Sequence, residues 1–302
     1  MERVKGPMLT LEYLAELFEK NRAAARARVK EFAVGGRRLA FNSRPAIMGV
    51  INLSADSWYR ESVCLTAESA LRRGQVLRAQ GADIIDVGAE SSLAHAARRD
   101  AAAQQTQLLP VIQALHSAGI AVSVETYQPA VARACLDAGA AVLNLTGSEH
   151  DEALFRRVAE HDAALILCYV QGKNVREVGD FEFSPDPVAM MREHFARRIE
   201  SALRQGVEKI FLDPGLGFYY PNLQDSATRV RHQMTVFLHT FRLRALGFPL
   251  CHALPHAFEY FGEEVRCAEP FFAVLAGLGG TDLFRTHEVP RTRAVLETMR
   301  AF

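Results

Sequence analysis

From Ala46 onward the chain alternates two hydrophobic patterns. Short, nearly continuous apolar runs are followed by longer stretches in which apolar residues recur every three or four positions, with a polar cluster between them. Five of the six residues from Ala46 to Ile51 are apolar, the signature of a strand covered on both faces, as in a parallel sheet. The same kind of run recurs at 83–88, 120–125, 141–145, 164–170, 209–213, 249–253 and 282–286. Helical spacing fills the intervals, over about 66–80, 101–118, a segment opened by Pro129, 151–160, 187–205, 224–245, 268–278 and 290–301. Thr66 and Ser69 offer a capping pair at the start of the first of these helices, and Gly81 closes it. Strand-helix repeats in this number over about 250 residues predict an α/β chain folded as a (β/α)8 TIM barrel. An open doubly wound sheet fits less well, because no G-x-G-x-x-G follows the first strand.

Ahead of the repeats, Leu11, Leu14, Leu17, Phe18, Val29 and Phe32 fall at helical spacing, which predicts one amphipathic helix over about Thr10 to Lys30. Gly35 and Gly36 between extended-looking residues then predict a short hairpin that caps the barrel bottom. Residues 1–33 are thus read as an N-terminal helical extension and 34–302 as the barrel.

Composition narrows the function classes. In 302 residues, Lys plus Arg and Asp plus Glu balance at 35 each, and no block of like charge stands out. Nucleic acid and membrane surfaces are therefore not expected partners, and a charged ligand must be held locally. The cysteines Cys64, Cys135, Cys168, Cys251 and Cys267 are odd in number and form no C-x-x-C, which predicts reduced, buried thiols and a cytoplasmic location. No apolar run approaches a membrane span, and the N-terminus is not a secretory leader.

Polar residues stand at or just past the carboxyl end of nearly every predicted strand: Asn52, Asp86, Glu125, Asn144, Tyr169 with Gln171, Asp213, His252 or His256, and Arg285 with His287. A single one reads as a helix cap or turn residue. Recurring at the same topological place, they converge on one barrel mouth, where parallel α/β folds bind ligands. Asp56, Ser57, Ser92 and Gln171 are further loop candidates.

These residues carry a family resemblance. Residues 47–58, IMGVINLSADSW, resemble the signature of dihydropteroate synthases, in which Met-Gly-x-x-Asn precedes a Thr-Pro-Asp-Ser-Phe loop. GADIIDVGAES (81–91), VSVETY (122–127), LDPGLGF (212–218) and RTHEV (285–289) are similar to the family's other motifs, in order, so the likeness runs from about residue 34 to 300. That family condenses a dihydropterin-methyl pyrophosphate with p-aminobenzoate. The resemblance implies a pterin- or folate-binding transferase of folate biosynthesis and a homodimer. Asn144 and Asp213 match the residues that bond the pterin ring, joined there by Glu125 and His256. Asn52 matches the residue near the pyrophosphate and its Mg2+, and Arg285 and His287 match the anion-binding pair. Mg2+ is implied only if pyrophosphate is a substrate group, and no organic cofactor is implied.

The chain also departs from the family pattern. Glu125 replaces the third-strand Asp, and SSLAH (91–95) replaces the Ser-Thr-Arg-Pro-Gly loop. Leu254-Pro255-His256 replaces Ser-Arg-Lys, while Tyr219 and Tyr220 stand where a lysine usually follows Gly-Phe-Gly. Leu93, Tyr219, Tyr220, Phe258 and Tyr260 suit either a more apolar second substrate or simple packing. The leading reading is a divergent dihydropteroate-synthase-like transferase with an altered or lost p-aminobenzoate site. The alternatives are a non-catalytic pterin-binding or regulatory paralogue and a methyltetrahydrofolate-using methyltransferase. Glu125 and His256 either pair across the ligand, which raises the imidazole pKa, or pack independently.

Overall fold

The computed structural model describes residues 8–54, 56–57, 59–90 and 98–301. An eight-stranded parallel sheet runs through β3 (Ala46–Asn52), β4 (Ile84–Gly88), β5 (Val122–Thr126), β6 (Val142–Leu145), β7 (Ala164–Cys168), β10 (Ile210–Asp213), β11 (Cys251–Ala253) and β12 (Leu283–Thr286). Its hydrogen-bonded order is β10-β7-β6-β5-β4-β3-β12-β11. The ring closes through a parallel bridge between Leu212 and Leu250, with the Leu212 N–H donating to the Pro249 carbonyl at 2.9 Å. This is the expected (β/α)8 barrel, an α/β fold.

Helices α3 (Ala67–Ala79), α4 (Ala101–Ser117), α5 (Pro129–Asp137), α6 (Asp151–Glu160), α7 (Pro187–Arg204), α8 (Ser226–His239), α10 (Ala268–Leu278) and α11 (Val289–Arg300) form the outer layer. Thr66 and Ser69 make a reciprocal capping box on α3, and Gly81 leaves it at φ +111°, as their spacing predicts. Prolines open α5, α7 and α11, where their missing N–H costs no helical bond. The helix expected over 224–245 stops at His239 and tightens into a 3-10 segment, Thr240–Leu246, where the Thr240 hydroxyl donates back to the Phe237 carbonyl.

Strand alternation sorts the core into two shells. Met48, Ile84, Val142, Ile166, Phe211, Cys251 and Leu283 point into the barrel. Ile47, Ile85, Leu143, Leu165, Leu212 and Phe284 pack outward against the helices.

The N-terminal region differs from the single helix expected. Helix α1 (Leu11–Lys20) breaks at Asn21, whose amide donates to the Leu17 carbonyl at 2.9 Å, and only the short α2 (Arg22–Ala25) follows. An Asn that captures a helix carbonyl competes with continued helix. The hairpin β1 (Phe32–Val34) and β2 (Arg37–Leu39) does form, and Phe32, Phe41 and Phe211 meet edge to face within 5.0–5.4 Å, sealing the barrel interior from below. Likewise the segment after Gln171, expected as a loop, folds into a small hairpin of β8 (Gly172–Asn174) and β9 (Glu177–Val178). A short helix α9 (Phe258–Phe261) follows β11. All five cysteines are free thiols, but Cys267 is exposed, contrary to the expectation that all are buried. No described helix is long and apolar enough to cross a membrane.

Candidate functional site at the barrel mouth

The alternation that sends Ile84 inward also sends Asp86 inward. The same rule carries Glu125, Asn144, Asp213 and Arg285 to the upper layer of the barrel interior. Register makes them neighbours: Glu125 pairs with Asn144, Asp213 with Cys168, and Arg285 with both Ala253 and Met48. Asp86 is the hub. Its Oδ2 accepts from Asn144 Nδ2 at 3.1 Å and from Arg285 Nε at 2.7 Å, while its buried Oδ1 has no partner among the described residues. The same guanidinium donates from Nη2 to Glu125 Oε2 at 2.5 Å. Asn144 Oδ1 accepts from the Cys168 thiol at 3.3 Å.

The cluster holds more carboxylates than cations. Burial pushes Glu125 up to about 7 against the pull of Arg285, with Asp86, Asp213 and Glu90 adding to the rise. Burial likewise pushes Asp213 up to about 6, opposed by the Gly215 N–H that donates to its Oδ1 at 2.8 Å and by Arg285. One guanidinium cannot neutralise this group of acids, so the site holds protons easily near neutral pH.

A cavity opens above this floor. Glu125, Asn144, Asp213 and Arg285 line it, together with Asn52, Ser57, His256 and His287. Asn52 Nδ2 donates to the hydroxyls of Ser57 at 3.0 Å and Ser62 at 2.6 Å. His287 is held by Glu269, its Nδ1 and backbone N–H lying 2.8 and 3.0 Å from the carboxylate oxygens, and its ring stacks on Tyr59 at 4.5 Å. His256 lies 3.2 Å through Nε2 from the Tyr219 hydroxyl, and burial, then the nearby Arg229 charge, lowers it to about 4. At neutral pH this imidazole is uncharged.

The structure resolves several sequence expectations. The Glu125–His256 pair does not form: Arg285 reaches Glu125 across the barrel, and the His256 pKa falls rather than rises because burial outweighs any charge partner. His252 follows the opposite parity to Cys251 and points into the helix layer against Phe237 and Thr240, which leaves His256 as the site histidine. Tyr169 turns outward onto His194 and Phe195. Gln171 serves the β8–β9 excursion instead of the cavity, bonding Tyr169 and the Glu182 backbone. Asp56 is exposed on the loop after β3. Ser92, Leu93, Ala94 and Trp58 lie outside the described residues. Among the aromatic replacements, Tyr219 lines the cavity, whereas Tyr220 packs on Phe181. Among the cavity residues that the sequence reading missed are Arg229 and Gln233 of α8. Their only signal was a polar pair at i, i+4, which ordinarily marks a solvated helix face.

With this geometry in hand, comparison with known proteins is specific. Residues 48–254 match the model of a family described as pterin binding enzymes. A dihydropteroate synthase from Mycobacterium leprae is 29% identical over 265 residues, covering 85% of this chain and 93% of that protein. One from Streptococcus pyogenes is 32% identical over 217 residues, covering 70% and 76%. Among solved structures, dihydropteroate synthase from Thermus thermophilus in complex with 4-aminobenzoate superposes at a TM-score of 0.75 with 27% identity, covering 90% of this chain and all (100%) of that one. The Xanthomonas albilineans enzyme in complex with 7,8-dihydropteroate gives 0.71 with 26% identity, covering 90% and 98%.

Proposed function

Because this chain belongs to the pterin-binding enzyme family, we propose that it is a divergent dihydropteroate-synthase-like transferase that moves a pterin methylene from pyrophosphate to an amine other than p-aminobenzoate. The observation that carries the reading is the Asp86–Asn144–Arg285–Glu125 cluster beside Asp213, directly under an open cavity. A pterin edge offers a row of N–H donors. The Asp213 carboxylate and the Asn144 amide, which line that cavity, are the complementary groups, with Asp86 buried behind them holding Asn144 in place.

In the proposed reaction the amine lone pair forms a bond to the methylene carbon as its C–O bond to pyrophosphate breaks, and the amine then loses a proton. The chain contributes position and charge rather than covalent chemistry. Arg285 and His287 are the groups placed to meet the pyrophosphate, Arg285 once it releases Glu125. Asn52 fits a magnesium ion that arrives with the pyrophosphate, since its amide nitrogen is committed to Ser57 and Ser62 and its carbonyl oxygen is a hard ligand. Among the described residues no group of three His, Cys, Asp or Glu side chains could hold a metal alone. Such an ion would offset the charge of the leaving group. The chain is also read as a homodimer, supported by the apolar groove that Tyr13, Val230, Met234, Tyr260 and Phe271 line.

Two replacements favour an altered acceptor. Neutral His256 stands where the family resemblance places a lysine, and Leu254 stands where it places a serine hydroxyl. Losing several positioning contacts costs about 10²- to 10⁴-fold in kcat/KM. Calorimetry with hydroxymethyl-dihydropterin pyrophosphate, paired with turnover of p-aminobenzoate in the presence of Mg2+, tests the proposal. Pterin binding with turnover that is weak or absent is expected. Absence of pterin binding overturns the whole reading, and robust turnover overturns the altered acceptor. A second reading, a non-catalytic pterin binder, is favoured by one observation: Arg285 is already committed to Asp86 and Glu125. Pterin binding without transfer to any amine would select it.

A further inference from the structure

We propose that Arg229 and Gln233, one turn apart on α8, form a subsite for an acid that also carries a hydrogen-bond donor, the class of second substrate this cavity takes. The proposal rests on the transferase reading only for the words second substrate. The subsite itself stands on its own residues.

Both side chains line the cavity, on the part of its wall formed with Tyr219, Leu223, Leu254 and His256. Arg229 is nearly buried, with 14% of its side chain exposed. Among the described residues its hydrogen bonds run from Nη2 alone, to Glu259 Oε1 at 3.1 Å and Oε2 at 2.9 Å. Nε is buried with no partner among those residues. A guanidinium binds a carboxylate best through two parallel N–H bonds, and here the Nε half of such an edge is unspent while the Nη2 half is shared with Glu259. Glu259 is 42% exposed and does not line the cavity, so water can take it over when an incoming acid competes for Arg229.

Gln233 supplies the matching acceptor. It is 3% exposed, and its Nε2 donates to the Leu216 carbonyl at 2.9 Å. That bond fixes which amide atom is which, because the flipped amide would set oxygen against oxygen. The remaining Oε1 is buried with no partner among the described residues. An unmet donor and an unmet acceptor, both desolvated and about 5–6 Å apart at their Cβ atoms, are costly in an empty protein and call for a ligand that meets both.

The other cationic side chain of the cavity is not available in the same way. Arg285 serves Asp86 through Nε and Glu125 through Nη2, so an anion reaches it only by displacing Glu125. Arg229 has Tyr219 and the uncharged His256 as neighbours, with its one acidic partner outside the cavity. The cavity thus has two cationic places: Arg285 on the floor, which must first release Glu125, and Arg229 on the α8 wall, whose one acidic partner lies outside the cavity.

The test measures binding of p-aminobenzoate, benzoate and p-aminobenzamide by calorimetry, to the protein alone and to the protein saturated with hydroxymethyl-dihydropterin. Wild type is expected to hold p-aminobenzoate about 10- to 100-fold tighter than p-aminobenzamide, the worth of a charge-assisted pair. Arg229→Gln should shrink that ratio to about threefold or less, with pterin affinity unchanged. Glu259→Gln, which releases the guanidinium, should tighten the acid, an effect a merely structural Arg229 would not produce. Gln233→Leu should remove the preference for p-aminobenzoate over benzoate. Equal binding of acid and amide by wild type, no binding of either, or an acid preference that survives Arg229→Gln overturns the subsite. A survival of the amine preference in Gln233→Leu removes Gln233 from it. Arg229-dependent acid binding by a protein that takes no pterin sustains the subsite and sinks the transferase reading instead.

Discussion

Glu125 Oε2 lies 2.5 Å from Arg285 Nη2, a contact that ties β5 to β12 across the two strands between them. The span depends on side-chain length. An aspartate, shorter by one methylene or about 1.5 Å, would leave Arg285 to Asp86 alone. The glutamate therefore does more than crowd the position the family resemblance gives to Asp: it occupies the cation best placed to meet an anionic leaving group.

Glu125→Asp is accordingly expected to tighten binding of hydroxymethyl-dihydropterin pyrophosphate by about tenfold, or ~1.4 kcal/mol, because Arg285 no longer has to be released. Calorimetry at fixed Mg2+ reads it. Unchanged or weaker affinity would show that the latch does not compete with the ligand.

The acids of the floor also make stability depend on pH. Glu125 stands at about 7 and Asp213 at about 6 in the fold, whereas unfolded carboxyls titrate near 4. Both folded values are raised, so the folded state binds more protons between about pH 4 and 7 and loses stability as pH rises through that window. Glu125→Gln cannot lose that proton. Its stability relative to wild type should therefore improve by about 1–3 kcal/mol between pH 5 and pH 8, whatever constant cost the lost ion pair adds. Urea denaturation at the two pH values decides it, and a difference that stays flat or reverses counts against a protonated Glu125.

Behind the site, Arg198 of α7 is a buried strut. It grips Asp151 through Nε at 2.8 Å and Nη2 at 2.7 Å, and caps the carbonyls of Cys168 at 2.9 Å and Gly147 at 2.8 Å. Those carbonyls belong to the end of β7 and the loop after β6, which position Cys168 and Asn144. Arg198→Met leaves a partly buried Asp151 and two carbonyls unmet, and should cost about 2–4 kcal/mol in chemical denaturation. A loss below about 1 kcal/mol would mean that water replaces the guanidinium there.

Much of this arrangement was legible in the chain. The strand period of two, applied to Asp86, Glu125, Asn144, Asp213 and Arg285, places all of them inside one barrel, and the caps at Thr66 and Pro129 fix where helices begin. Parity also separates His252 from His256, a step that needs the first residue of β11 to be known, and a strand as short as Cys251–Ala253 leaves it open in the sequence. Partners were less accessible than positions. Nothing in the spacing says that Arg285 reaches Glu125 and Asp86 rather than a nearby Glu288, because strands β5, β4 and β12 meet only when the sheet closes. Arg229 and Gln233 were hidden for a different reason. Polar residues on a helix face read as solvated, and only the fold shows that this turn of α8 borders the cavity. The break at Asn21 and the excursion after Gln171 involve side-chain contacts, of Asn21 with the Leu17 carbonyl and of Gln171 with the Glu182 backbone, that no periodicity carries.

Asp213 tests the ligand assignment most directly, since it combines a fixed position with a raised pKa. Its Oδ1 is held by the Gly215 N–H at 2.8 Å, and Gly215 itself sits at φ +73°, where an added Cβ would lie 2.2 Å from the Tyr169 carbonyl oxygen. The turn thus fixes the carboxylate facing the cavity. Asp213→Asn keeps the shape and the Gly215 bond but replaces one acceptor by a donor, which an N–H-rich pterin edge cannot use. Pterin affinity should fall by about 2–4 kcal/mol with thermal stability nearly unchanged or slightly raised, because the substitution also removes a buried acid. Wild-type affinity in Asp213→Asn, measured by calorimetry with hydroxymethyl-dihydropterin, would remove Asp213 from the pterin floor.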